Sequence, residues 1–286
     1  ENMTRGPWVM SKASKAFGRD SSLYDTSFGW RFINPKLEAV YGVDGMGVTA
    51  ENLVDKYSIS RDDQDAFSFR SHMKATAARD AGRLAQEIVQ VNIPRRKQDD
   101  LIFEHDEFIK PDTTVEILSK LRPAFRKEGG SVTAGNSSGL NDGSAALLLA
   151  NESGLSSSGL SPLAQIISSA VVGVEPRIMG IGPVRASEIA LKRAGITFDD
   201  LDVIELNEAF SAQALACIRA WGLDDDDSRI NPNGGGISIG HPLGVTGSRI
   251  LLAAARQLER TGGKYGLVTL CIGVGQGYAV VIKNTQ

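Results

Sequence analysis

Tyr265-Gly266-Leu267-Val268-Thr269-Leu270-Cys271 and Tyr278-Ala279-Val280-Val281-Ile282-Lys283, joined through Ile272-Gly273-Val274-Gly275-Gln276-Gly277, read as two β-strands and a glycine-rich turn. Both runs are short, apolar and bounded by turn residues, the pattern of strands buried in a sheet. Upstream, residues 245–260 stack Ile250, Ala254 and Leu258 on one face, as an amphipathic helix does. Residues 208–221 read as another helix opening at Asn207, and 203–206 as a short strand. Residues 184–194 form a helix stopped by Gly195, and 164–174 a strand. Strand and helix alternating in this way specify a layered α/β domain with a largely buried sheet.

The preceding part is different in character. Residues 1–127 are polar and irregular. A helix is expected over 49–56, and a second from Ser60, an N-cap followed by Asp62 and Asp63, up to Gly82. A third is expected over 114–121, ending before Pro123, and 88–93 alternates weakly as a strand would. This portion reads as an inserted module with little core of its own. The turn cluster 136–143 follows, and then the apolar run 144–150, which reads as a buried strand.

Composition limits the function. The chain has 286 residues, 42% hydrophobic and 23% charged, with 31 basic and 34 acidic residues for a net charge of −3. That balance gives no bulk attraction to nucleic acid or to an anionic membrane surface. The one dense charge block, residues 224–227, reads as a solvated loop. Two cysteines without a CxxC pair make no disulfide framework and suit a reducing cytoplasm. No apolar stretch approaches the ~20 residues that span a bilayer. The start, Glu1-Asn2-Met3-Thr4-Arg5, has no signal-peptide character and no initiator methionine, so the chain is expected to begin inside a longer one. The three histidines have no metal-ligand spacing.

Three residues carry candidate chemistry. Cys271 ends an apolar strand beside glycines that let backbone N–H groups approach an oxyanion; the bland alternative is a core cysteine. His241, between Gly240 and Pro242, projects from a strand-to-helix loop, and function and structure are equally good readings of it. Asn207 is either an N-cap or a carboxamide that holds a water or a substrate oxygen. Cys217 reads as core, and His72 and His105 as packing or surface residues.

Taken together, Asn207-Glu208-Ala209-Phe210, Asn233-Gly234-Gly235-Gly236 with Gly240-His241-Pro242, Cys271-Ile272-Gly273-Val274-Gly275-Gln276-Gly277, and Thr133-Ala134-Gly135-Asn136-Ser137-Ser138-Gly139-Leu140-Asn141-Asp142-Gly143 resemble the thiolases, which cleave or form 3-ketoacyl-CoA. The resemblance implies a layered αβαβα fold and coenzyme A as co-substrate, with no tightly bound cofactor or metal. By resemblance, His241 activates the nucleophilic thiol and forms an oxyanion hole with a water held by Asn207. Cys271 is implied to be the acid/base at the substrate α-carbon, a task that calls for a thiol pKa brought down from ~8.5 toward neutrality. Gly273 supplies an N–H to a second oxyanion hole. Ser138 is implied to meet the pantetheine arm under a loop carrying Met46, and Lys110 stands where many thiolases place an arginine against the adenine end.

Thiolases also use a nucleophilic cysteine on an N-terminal part, and the expectation is that this part is missing. The implied domains are a loop domain over 1–140, a connection over 141–162 belonging to that missing half, and a C-terminal domain over 163–286. Tyr24-Asp25-Thr26, Gly29-Trp30-Arg31-Phe32-Ile33-Asn34-Pro35 and Arg229-Ile230-Asn231-Pro232-Asn233-Gly234-Gly235 resemble bacterial thiolases of aromatic-compound catabolism that act on 3-oxoadipyl-CoA. Arg31 is the candidate partner for the terminal carboxylate of such a substrate. A cytoplasmic homodimer or homotetramer is implied. Two other classes stay open: a catalytically incomplete subunit that binds acyl-CoA or assembles with intact thiolases, and a hydrolase with Cys271 as its nucleophile.

Overall fold

The computed structural model describes residues 1–286. A hairpin of β1 (Trp8–Met10) and β2 (Leu23–Asp25) comes first, then α1 (Pro35–Tyr41), α2 (Met46–Tyr57) and α3 (Arg61–Asp80). A second hairpin pairs β3 (Val91–Ile93) with β4 (Leu101–Phe103), followed by α4 (Val115–Ser119) and α5 (Glu152–Ser158). The remainder is β5 (Ala164–Gly173), α6 (Gly182–Ala194), β6 (Val203–Leu206), α7 (Ser211–Ala220), α8 (Gly236–Ile239), α9 (Thr246–Thr261), β7 (Tyr265–Ile272) and β8 (Gln276–Asn284). No helix is long and apolar enough to cross a membrane.

One four-stranded sheet in the order β5-β8-β7-β6 organises the second half. β5 and β7 each pair antiparallel with β8, and β6 runs parallel to β7 with Leu206 opposite Thr269. Ile204, Leu206, Leu267 and Val281 point to one face, where α6 and α7 bury Ala186, Ala190, Leu215 and Ile218 against them. Val203, Val268 and Ile282 point to the other face, against Ile250, Ala254 and Leu258 of α9. The residue-by-residue switch of faces is the two-residue period of a strand, and the three residues of α9 are its one apolar stripe.

Helix α7 has no polar face: Ser211 to Ile218 are all buried. The sheet covers one side, and α2 and α3 cover the other, bringing Leu53, Ile59 and Phe67 into the same core. Ser60 caps α3 by accepting from the Asp63 N–H at 3.0 Å, as its sequence promises. A polar tie also joins the two halves. The Glu208 carboxylate, 1% exposed, accepts from the Ser71 hydroxyl of α3 (2.6 Å), the Asn231 amide (2.7 Å) and the Ile237 N–H of α8 (3.2 Å).

Several expectations are corrected. Residues 144–150 are not a strand: the run is extended and irregular, with Leu148 80% and Leu149 71% exposed, because no strand lies alongside to take its backbone hydrogen bonds. The helix expected from Asn207 starts at Ser211 with Phe210 at its N-cap, so Asn207 is not a cap. His241 follows the helical turn α8, so its loop joins two helices and not a strand to a helix. The acidic block is not uniformly solvated: Asp225 pairs with Arg219 at 2.6 Å and Asp227 with Arg229 at 2.7 Å, alternate carboxylates being turned inward by cations on either side.

Replacing Glu208 by alanine leaves the Asn231 amide and Ile237 N–H donors without an acceptor, at about 1–3 kcal/mol each, and turns the Ser71 hydroxyl to Ser238 at 2.8 Å. Glu208→Ala is therefore expected to lower the urea unfolding midpoint by the equivalent of about 3–5 kcal/mol, with Glu208→Gln losing less. An unchanged midpoint would remove the carboxylate from its place in the fold.

Candidate active site

Because β6 and β7 are parallel, their carboxyl ends open at the same edge of the sheet. Asn207 leaves β6 there, its N–H donating to the Thr269 carbonyl at 3.0 Å, and Cys271 lies two residues further along β7. Loops at the carboxyl ends of such strands are where α/β sheets place ligands.

His241 is brought to this edge by α8. Its ring Nε2 lies 3.3 Å from the Asn207 amide nitrogen, its Nδ1 lies 2.7 Å from the Thr246 hydroxyl, and its own N–H donates to the Asn141 side-chain oxygen at 3.2 Å. Burial, helped by the charge of Arg249, pulls the imidazole down to about 4, so it is neutral at physiological pH and able to accept a proton. The Asn207 side-chain oxygen is buried and has no partner within the chain. An unpaired buried acceptor beside a neutral imidazole is a site ready for a water or a ligand donor.

Cys271 is half-buried, and burial pushes its thiol up to about 12. This is the reverse of the expected shift toward neutrality: no cation or imidazole hydrogen bond offsets the loss of hydration, so the group is held as a thiol that can donate a proton. Gly273 follows in a turn whose next residue, Val274, has φ 69°, and Gly275 has φ 102°. A β-branched residue in the left-handed region is strained, and Gly275 relieves the turn by presenting its carbonyl to the Val174 N–H at 2.8 Å. Cys217 is fully buried in α7 with its thiol on the Gly180 carbonyl at 3.3 Å, which is the core role expected of it.

The remaining candidates lie on the covering layer. The Ser138 N–H donates to the Ala209 carbonyl at 3.0 Å, and Ser137 bridges Phe210, so the 136–143 segment runs beside Asn207 and reaches His241 through Asn141. Met46 is the first residue of α2, half-buried; the adjacent Gly47 packs on Phe125, which meets Phe210 edge-on at 5.9 Å. Lys110 is exposed, its ammonium 4.9 Å from the Phe108 ring, and that ring closes over Gly139. Arg31 is exposed and gives a guanidinium N–H to the Gly29 carbonyl at 2.6 Å. A cavity of about 540 Å³, lined by Trp30, Leu37, Tyr41, Val174, Glu175 and Val274 among others, opens between this loop and the Gly273 turn; Arg31 is not part of its wall. His72 is buried and accepts from the Lys110 N–H, and His105 is on the surface.

Sequence reasoning left Thr246, Asn141, Arg249 and Glu208 without a role. Glu208 and Asn141 stand inside the quoted motifs, and a carboxylate set among apolar residues at the end of a buried strand was the available signal. No group of three or more His, Cys, Asp or Glu is arranged to hold a metal ion.

The chain matches two family models, that of the thiolase N-terminal domain over residues 1–153 and that of the thiolase C-terminal domain over residues 160–284. It is 53% identical over 284 residues to a beta-ketoadipyl-CoA thiolase of Acinetobacter baylyi, covering 99% of this chain and 71% of the relative. It is 50% identical, with the same coverage of both chains, to the 3-oxoadipyl-CoA/3-oxo-5,6-dehydrosuberyl-CoA thiolase of Escherichia coli. Among solved structures, the acetyl-CoA acetyltransferase of Bacillus anthracis superposes with a TM-score of 0.88 at 41% identity, covering 99% of this chain and 70% of that one. Human mitochondrial 3-ketoacyl-CoA thiolase gives 0.88 at 40%, with the same coverage. The expectation that the family's N-terminal part is missing is not borne out, since the N-terminal model matches from residue 1 to residue 153.

With its pKa raised to about 12, Cys271 stays protonated through about pH 10, and its thiolate fraction rises tenfold per pH unit. Carboxamidomethylation of Cys271, followed by peptide mapping, is expected to accelerate log-linearly to about pH 10. A plateau near pH 8–9, where an ordinary thiol has ionised, would contradict this assignment.

Proposed function

The chain belongs to the thiolase family, and from that premise we propose that it cleaves 3-oxoadipyl-CoA with free CoA to acetyl-CoA and a shortened acyl-CoA, or runs the reverse condensation. The observation that carries the reading is that Asn207, with His241 on it at 3.3 Å, and Cys271 lie at the carboxyl ends of the adjacent parallel strands β6 and β7. Cleaving a 3-ketoacyl thioester between C2 and C3 needs a proton accepted from the attacking thiol and a proton delivered to the departing α-carbon. His241, uncharged and buried, is suited to the first; Cys271, held as a thiol, is suited to the second. Negative charge develops on the ketone oxygen when the thiol adds and on the thioester oxygen when the α-carbon departs; His241 with a water on Asn207 forms one oxyanion hole and the Gly273 N–H serves the second.

Ser138, Met46 and Lys110 are the proposed coenzyme A track. The support is a continuous line of contacts from Lys110 through Phe108 and Gly139 to the Ser138 segment beside Asn207. The acyl portion goes to the cavity between Trp30 and Val274, which adjoins the Gly273 turn. Arg31, next to Trp30, is the proposed partner for a terminal carboxylate once its guanidinium leaves the Gly29 carbonyl. A cytoplasmic homo-oligomer is part of the same reading, supported by exposed apolar side chains on the first hairpin and its following loop, Trp8, Met10, Leu23 and Phe32 among them. Substrate and CoA are the only small molecules the reaction requires.

Thiolysis of 3-oxoadipyl-CoA, followed as loss of enolate absorbance, is expected to fall by about 10²–10⁴ in Cys271→Ala and in His241→Asn. Wild-type protein that binds the thioester without turning it over would replace the catalytic reading by that of an acyl-CoA-binding subunit. Arg31→Ala is expected to lower kcat/KM for 3-oxoadipyl-CoA roughly tenfold, the scale of one exposed charge-assisted contact, while sparing acetoacetyl-CoA. Equal loss on both substrates removes Arg31 from recognition of the carboxylate.

A further inference from the structure

His241 is held at three points, and the three together decide where its single proton sits. Its main-chain N–H is anchored by Asn141, its Nδ1 meets the Thr246 hydroxyl at 2.7 Å, and its Nε2 faces the Asn207 amide nitrogen at 3.3 Å. Thr246 is the first residue of α9, and its hydroxyl also lies 2.9 Å from the Pro242 carbonyl, four residues earlier. A carbonyl only accepts, so the one hydroxyl proton of Thr246 is directed to Pro242, the back-bond that threonine makes in a first helical turn. The Pro242 carbonyl also takes the N–H groups of Val245 (3.0 Å) and Thr246 (2.9 Å); with the hydroxyl proton joining them there, the hydroxyl lone pairs face His241 and Nδ1 carries the hydrogen.

We propose that Thr246 is a positioning residue that fixes the tautomer of His241, holding the proton on Nδ1 so that Nε2 keeps the lone pair, which takes the Asn207 amide N–H until a reacting thiol displaces it. The proposal rests on the catalytic reading of His241 and deepens it. Every donor in the resulting chain has an acceptor: Asn207 amide to Nε2, Nδ1–H to the Thr246 oxygen, and the Thr246 hydroxyl to Pro242. With the Asn207 amide nitrogen turned to Nε2 as it is here, the opposite tautomer sets an imidazole N–H against an amide N–H at 3.3 Å, between two buried residues. An isolated neutral imidazole prefers its proton on Nε2, so the protein reverses an intrinsic preference, and it does so with one hydroxyl.

The rest of the local structure serves the same alignment. Pro242 fixes the backbone that carries the accepting carbonyl, and its ring packs so closely over Gly143 that a Cβ there would lie 2.6 Å away. Thr246 is fully buried, so no water competes for its hydroxyl. Arg249, one turn further along α9, opposes protonation of the ring, so the histidine occupies its neutral form and the choice between two tautomers is the one left open. When Nε2 takes a proton from a thiol, the Asn207 amide gives up its hydrogen bond to Nε2, while the Nδ1–H stays on Thr246 and the ring does not turn.

The experiment is a ring nitrogen–proton correlation spectrum of protein labelled with ¹⁵N-histidine near pH 7.5. The chain has three histidines, and His241→Asn identifies the signal of interest by its loss. The wild type is expected to show a protonated-type shift at Nδ1 and a bare-nitrogen shift at Nε2. Thr246→Ser is expected to keep that pattern, and Thr246→Val, matched in shape, to move the proton toward Nε2. Thr246→Ala carries the same expectation and stands in if valine is not accommodated. A wild-type Nε2–H signal overturns the proposal, as does an unchanged spectrum in the variant lacking the hydroxyl. No turnover assay enters, so failure of the thiolysis reading and failure of this proposal are separately visible.

Discussion

The arrangement depends on one buried carboxylate. Glu208 is 1% exposed, and its two oxygens take hydrogen bonds from Ser71 in the covering layer, from Asn231 after β6, and from the N–H of Ile237 in α8. Burying a charge is tolerated only where donors replace water, and here the donors come from α3, 137 residues away, and from the stretch 231–237 that follows α7. Satisfying the charge therefore assembles the site: it sets α3 against α8, aims the loop that delivers His241, and leaves Asn207, the preceding residue, at the open end of the sheet. Gly235 follows from the same constraint, since a Cβ there would stand 2.3 Å from the Glu208 carboxyl carbon.

Around that anchor the site is kept electrically quiet. Burial with the nearby Arg249 charge pulls His241 down to about 4, burial alone pushes Cys271 up to about 12, and it pushes Glu205, 1% exposed, up to about 8 in spite of Arg249. At neutral pH His241 is uncharged, Cys271 is a thiol, and Glu205 is mostly protonated. In the proposed reaction, new charge would arise on a substrate oxygen beside Asn207 and the Gly273 turn. Preformed dipoles in a dry setting act most strongly on charge that develops late, and a site crowded with permanent ions would have blunted them.

How much of this was legible in the sequence follows from the range of the interactions. Strands β6, β7 and β8 and helices α6 and α9 were readable to within a few residues, because their apolar period is written locally and Gly195 ends α6 with φ 72°. Residues 144–150 carry the same apolar signal and form no strand, since pairing depends on a neighbour and not on composition. Asn207 carries a helix-cap signal, yet Glu208 is drawn inward by Ser71, 137 residues away, and α7 cannot begin until Ser211. His241, Cys271 and Asn207 were picked from their surroundings in the chain. Thr246 was not: a threonine at a helix start is commonplace, and its meaning lies in the 2.7 Å contact with His241.

The two halves of the chain are consequently not scaffold and lid in the usual sense. Helix α7 is buried on every side from Ser211 to Ile218, and a helix of that kind is stable in water only when it is enclosed. The sheet encloses half of it, and α2 and α3 enclose the rest with Leu53, Ile59 and Phe67. Lifting the covering layer as a rigid lid would expose that face and strip Glu208 of the Ser71 hydrogen bond at once. Substrate access must then use parts of the covering layer outside this core. The segment that qualifies is the one holding Trp30, Leu37 and Tyr41, which contributes no residue to the buried clusters and faces the strained Val274 turn across the cavity. In the proposed function, motion and specificity would fall to that loop, while His241 and Cys271 stay beneath a core that cannot open without unfolding.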